Sequence, residues 1–201
     1  VGVRGSLTDS SQPLYRLTER LGAGGAGTVL GRVEKAAFPY AALANGSSAH
    51  SIELDDTHQG GSIHLGVSAF SAALAIAEQV DASGEDFIAA SVAGFEVAAR
   101  LAMAVRPKEH YSRGFHPTAT CGVFGAAVAA AKLWRLSEAQ LLSALGIAGS
   151  QASGSMEFLT DGAWTKRLHP GWAAFSGIHA ALLAREGFIG RTRSQVRYGV
   201  G

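Results

Sequence analysis

Apolar residues in this chain recur at helical rather than strand spacing. Residues 83–105 open with Ser83-Gly84-Glu85-Asp86, a capping serine followed by acidic first-turn residues, and then carry apolar positions on nearly every face. That pattern predicts a buried helix, with Glu96 and Arg100 four apart and able to pair along it. Pro107 is expected to stop it. Ser137-Glu138-Ala139-Gln140 reads as a capping box opening a second helix to about residue 149, with Leu141, Leu142, Leu145 and Ile147 as its apolar surface. The same reading predicts helices over 13–21, 39–54, 65–80, 117–134 and 170–185, several with proline in the first turn, where its missing N–H costs nothing. Only Thr28-Val29-Leu30 reads as a strand. The expected class is all-α. Helices that are apolar all round need cover on every side, so they predict a multilayered helical bundle and self-association, with a homodimer as the simplest form. No internal repeat or linker divides the chain, so residues 1–201 are read as one domain, with 1–35 loosely attached and 191–201 an irregular tail.

Composition narrows this further. Hydrophobic residues make up 47% and charged residues 16%, which excludes general disorder. Seventeen basic against 16 acidic side chains leave a charge of +1, so neither nucleic acid nor an anionic membrane surface is expected as a partner. The longest uncharged apolar run, residues 121–131, falls well short of the roughly 20 residues that cross a bilayer, and no signal peptide is read near Arg4. Cys121 stands alone and has no internal disulfide partner; among apolar neighbours it reads as a small buried hydrophobe. A reducing, cytoplasmic setting is expected. The 26 glycines have no period: some mark breaks, as at Gly60-Gly61, and others, such as Gly122 and Gly125, sit inside alanine-rich helix where helices can approach closely. The chain begins at Val1 and ends in a basic stretch, and both ends read as cuts.

Three segments are too polar for the helices around them. Residues 45–64 hold Glu53, Asp55 and Asp56 with His50, His58 and His64. On a continued helix, His50, Glu53 and Thr57 would share one face, and the Gly60-Gly61 break would let the chain turn His64 back towards it. A solvated helix end with capping Asp and Thr is the plainer alternative. A metal reading fits the residue types but not the spacing, because no His-Glu-x-x-His is present. The second segment, Arg113-Gly114-Phe115-His116-Pro117-Thr118, puts an imidazole at a helix start, where free N–H groups favour anions; a capping threonine beside a surface histidine is as good a reading. The third, residues 161–172, places Lys166 and Arg167 between Trp164 and Trp172 ahead of His169. Those cations suit a carboxylate clamp, or else pair with Asp161 or Glu157.

Taken in order, Asn45-Gly46, Ala49-His50, Leu54-Asp55-Asp56-Thr57-His58, Gly114-Phe115-His116-Pro117-Thr118, the stretch from Gly146 to Gly154, and Asp161-Gly162-Ala163-Trp164-Thr165-Lys166-Arg167-Leu168-His169-Pro170-Gly171 resemble the MmgE/PrpD family. The resemblance implies most of a large helical domain, without the smaller α+β domain that full-length members join to it across an active-site cleft. It implies a lyase with no metal or organic cofactor, acting on a small di- or tricarboxylate. A hydro-lyase of the 2-methylcitrate dehydratase type is the first expectation and a cis-aconitate-type decarboxylase the alternative. An inactive helical scaffold or dimerisation fragment is a third. Carried over by position, it implies catalytic roles for His64, His116, Lys166 and Glu53, the last where the family often has Asp. Thr57, Asp56 and Arg167 are expected to bind substrate.

Overall fold

The computed structural model describes residues 1–191; most of the expected irregular tail lies outside them. In chain order the elements are α1 (Gly2–Gly5), α2 (Gln12–Leu21), β1 (Gly27–Thr28), β2 (Lys35–Ala36), α3 (Phe38–His50), α4 (Gly66–Val80), α5 (Gly84–Ala104), α6 (Pro107–Ser112), α7 (Pro117–Thr120), α8 (Gly122–Leu133), α9 (Glu138–Gln151), α10 (Phe158–Asp161) and α11 (Thr165–Arg185). The expected all-α class holds, with one antiparallel pair, β1 against β2; of the strand expected over 28–30 only Thr28 lies in it.

The caps form as their residues dictate. Ser83 accepts from the Asp86 N–H, and Ser137 and Gln140 complete a reciprocal capping box. Pro107 ends α5 and begins α6 after Arg106 takes a left-handed φ of 56°. Three boundaries depart from the sequence reading. The helix expected over 39–54 stops at His50, because Glu53 adopts a φ of 53° that no helix accommodates. That expected over 117–134 is divided at Cys121 into α7 and α8. The last begins at Thr165 rather than at Pro170, which lies inside it in the second turn.

α8 is the central helix, with α4, α5, α9 and α11 packed around it, and α3 lies against α4 and α11. The core between them is mostly alanine with Ile76, Val123, Leu133, Ile147 and Ile178. Such small side chains bring backbones together: a Cβ on Gly94 of α5 would lie 2.7 Å from the Gly125 carbonyl oxygen of α8, and one on Gly125 would lie 2.8 Å from that of Gly94. α5, although interrupted by charged residues, is long and apolar enough to cross a membrane by length and composition. Here it docks through Ala90, Gly94, Ala98 and Ala102, and carries the Glu96–Arg100 ion pair on its exposed side.

The opening residues, expected to attach loosely, meet α3 through specific bonds. Tyr15 Oη lies 2.8 Å from Ser48 Oγ, the Leu30 N–H donates to Asn45 Oδ1 at 2.8 Å, and Asn45 Nδ2 donates to the Thr28 carbonyl at 2.8 Å. Asn45 is wholly buried and needs these partners, so α3 and the β1 segment hold each other.

Candidate active site

Residues 51–64 form the first wall. After α3 ends, the chain reverses through a bridge in which the His58 N–H donates to the Ile63 carbonyl at 2.9 Å. The reversal returns His64 to the end of α3, as the Gly60-Gly61 break predicts, and the His64 N–H donates to Thr118 Oγ1 of α7 at 3.2 Å. His58 stays in the turn and accepts the Gly61 N–H at 3.0 Å.

At the centre lies Asp55, its side chain 4% exposed. Its Oδ2 is 2.8 Å from His50 Nδ1 and 3.1 Å from His64 Nδ1. The His64 Nδ1 also has the Asp56 carbonyl at 3.0 Å and Thr57 Oγ1 at 3.5 Å. Surrounded by acceptors, that nitrogen carries a proton, which leaves Nε2 as the basic nitrogen of the neutral ring. Burial opposes the Asp55 charge, but the hydrogen bonds and charges of His50 and His64 outweigh it and hold the carboxyl well below the usual range. The same bond raises His64 above the ordinary histidine value, against its partial burial.

The second wall is α7 with the loop before α10. His116 is 3% exposed, its N–H donating to the Gly154 carbonyl at 2.9 Å and its ring stacked 6.1 Å from His50. Its Nδ1 faces His169 Nδ1 at 3.0 Å, and Phe158 packs edge-on against both rings. Burial first, then the charges of His169, His50, Lys166 and His64, push His116 down to about 3. Burial, then His50, push His169 to about 4.

The start of α11 is the third wall. Lys166 donates to both Glu53 oxygens at 2.6 Å, across 113 residues of sequence. The left-handed turn at Glu53, not a shared helix face, aims that carboxylate. Glu53, His64, His116 and Lys166 are therefore brought into one cluster, with Thr57 at its exposed edge. Asp56 is placed otherwise: its carboxylate reaches across the turn to accept the Leu65 and Gly66 N–H groups at the start of α4. Arg167, one residue beyond Lys166, has no ion pair among the described residues. His50, Glu53 and His64 each offer a donor atom within 4.8 Å of the others, but a cation there would compete with the Lys166 ammonium for Glu53. Cys121 is buried, which raises its thiol pKa, and takes no part.

Sequence reasoning alone assigns no role to two members of the cluster, Asp55 and His169. Asp55 was hidden by the assumed continuation of α3. His169 lies three residues from Lys166, a same-face spacing that shows once α11 starts at Thr165.

A family model described as the MmgE/PrpD N-terminal domain matches residues 1–197. The chain is 38% identical over 157 residues to the cis-aconitate decarboxylase-like protein oryM of Aspergillus oryzae, which covers 75% of this chain and 32% of that protein. It is 36% identical over 156 residues to human cis-aconitate decarboxylase (75% and 32%). To the mouse enzyme of that name it is 33% identical over 196 residues (94% and 39%). It thus spans only about a third of the length of these relatives.

Proposed function

The chain belongs to the MmgE/PrpD family, and from that premise we propose that the protein is a lyase releasing CO₂ from a small tricarboxylate of the cis-aconitate class. One observation carries the reading. His64, His116 and Lys166, from three separate segments, meet around the buried Asp55 and the Glu53 carboxylate. Loss of CO₂ leaves an electron pair on carbon, which must be stabilised and then protonated. The Lys166 ammonium meets a substrate carboxylate in competition with Glu53, and Arg167 and Thr57 hold others. His64, anchored on Asp55, and His116 are the proton-transfer groups.

Dehydration of a hydroxy acid, the first expectation from sequence, would use the same groups. The names of the relatives, decarboxylases or decarboxylase-like, favour decarboxylation instead. The deciding assay offers the purified protein cis-aconitate and 2-methylcitrate, and follows CO₂ release and the product proton spectrum. CO₂ from cis-aconitate, abolished in a folded His116→Ala variant, is the expected result. An alkene without CO₂ from 2-methylcitrate would replace this reading with dehydration. Turnover of neither by folded protein would leave a helical scaffold.

A further inference from the structure

We propose that His169 is a positioning residue that passes protons between His116 and the cavity behind α11, an inference that rests on the decarboxylation reading above. The two Nδ1 atoms are 3.0 Å apart, so one of them bears a hydrogen and the other a lone pair, and a single proton lies between the rings. The contact is built from several directions. The Gly154 carbonyl fixes the His116 backbone, and a side chain on Gly154, whose φ is 138°, would collide with Ala119, beside its ordinary contact with the His169 ring at 3.7 Å. Phe158 lies edge-on to both imidazoles, with ring centroids 6.0 and 5.8 Å away, and covers the pair with hydrocarbon.

Beyond the pair, His169 lines an open cavity of about 310 Å³ with Gln151, Ser153, Ser155, Thr165 and Trp172. None of His64, His116, Glu53 or Lys166 contributes to that wall. At about 30 Å³ per water the space admits on the order of ten molecules. Its wall is mostly hydrocarbon, and four hydroxyl side chains with the Gln151 carboxamide, whose Oε1 is buried without a partner among the described residues, are the groups that can orient water there. His169 therefore faces His116 through one nitrogen and lines a cavity that His64, His116, Glu53 and Lys166 do not line.

Decarboxylation needs a proton from outside the substrate and dehydration does not. Breaking the carbon–carboxylate bond leaves its electron pair on carbon, CO₂ departs, and one proton must be imported per turnover. Dehydration returns the abstracted proton with the departing hydroxyl. In the relay, His116 Nε2–H gives its proton to the carbanion, His116 Nδ1 takes the proton of His169 Nδ1–H, and His169 Nε2 takes one from cavity water. The pair ends neutral with its tautomers exchanged and hydroxide in the cavity. After product release a water proton entering at His116 Nε2 and one leaving His169 Nε2 to that hydroxide restore the tautomers, and the hydroxide formed at the site leaves with CO₂ as bicarbonate. Burial keeps positive charge from resting on either ring, and least of all on His116, which also faces the charges of His50, His64 and Lys166.

The test uses two measurements on the purified protein. Without substrate, a two-bond ¹⁵N coupling between the two Nδ1 nuclei is expected; its absence at neutral pH overturns the shared proton. With cis-aconitate, His169→Ala should lower kcat by about 100-fold or more at nearly unchanged KM. Small imidazole buffers should restore it in proportion to their acid form, as a packing role would not. His169→Asn, which keeps the volume, should lose rate without restoration. Retention of kcat in His169→Ala, or loss that no imidazole buffer restores, overturns the relay. A wild-type protein that shows the coupling but turns over nothing overturns the proposed function and leaves the shared proton standing.

Discussion

Asp55→Asn removes one charge and almost no volume from a nearly buried point of the cluster. In the native protein one oxygen serves His50 at 2.8 Å and His64 at 3.1 Å. Hydrogen bonds to charged partners contribute about 1.5–3 kcal/mol and neutral ones about 0.5–1.5, so weakening both bonds costs roughly 2–3 kcal/mol. Release of a buried carboxylate offsets part of that, because burial opposes the ionised form. The balance depends on pH. His64 has its pKa raised by Asp55, so the stability it gains is fully present below the ordinary value of 6.5 and is lost as pH rises through its folded value. Asp55 is held below its ordinary value of 3.8, so it stays ionised well under pH 6. Urea unfolding should therefore show a loss of roughly 2 kcal/mol near pH 5.5, shrinking to less than about 1 kcal/mol near pH 8.5. In the same variant the His64 titration, followed by NMR, should move down. Equal losses at both pH values, or an unmoved His64, would refute the assignment of Asp55 as the shared anchor.

Lys166→Met should abolish cis-aconitate turnover while changing unfolding stability by less than about 1 kcal/mol, because the ion pair with Glu53 is partly exposed; a matching loss of stability would make the lysine structural. His116 is kept neutral by burial, with a folded value of about 3 against 6.5 unfolded, so its contribution falls as pH drops below 6.5. Between about pH 7 and pH 4.5 the loss should be roughly 2.5 kcal/mol. A His116→Asn variant should show a correspondingly flatter pH dependence of its urea midpoint. Gly125→Ala should destabilise by about 1–3 kcal/mol, because its Cβ meets the Gly94 carbonyl and overpacking outweighs the gain in helix propensity. Gly84→Ala, with nothing within 4 Å, should be neutral or stabilising by up to about 1 kcal/mol in the same denaturation assay.

What the sequence discloses and what it hides divide along physical lines. Capping is local chemistry, so Ser83 and the Ser137–Gln140 box announce their helices. The return of His64 is also local, because two glycines permit the turn and a bridge closes it. Glu53 is different: nothing in a glutamate signals a left-handed φ, and that one angle converts an assumed helix face into a hook reaching Lys166. Pro170 misleads for the opposite reason, since proline marks many helix starts but here lies within the helix, and the shift conceals that Lys166 and His169 share a face.

The long-range geometry has its origin in the small-residue core. A Cβ on Gly46 of α3 would lie 2.9 Å from Gly171 Cα of α11, and one on Gly171 would collide with the Leu43 carbonyl and Ser47, so the two helices can cross closely only at this register. His50 lies four residues after Gly46 and Lys166 five before Gly171, about one turn from the crossing on each helix. The contact that packs α3 on α11 therefore also sets the reach from the 51–64 loop to the ammonium. A side chain at either glycine should part Glu53 from Lys166 without touching them. The sequence displays the glycines, but only the packed helices show that they are positioning elements of the site.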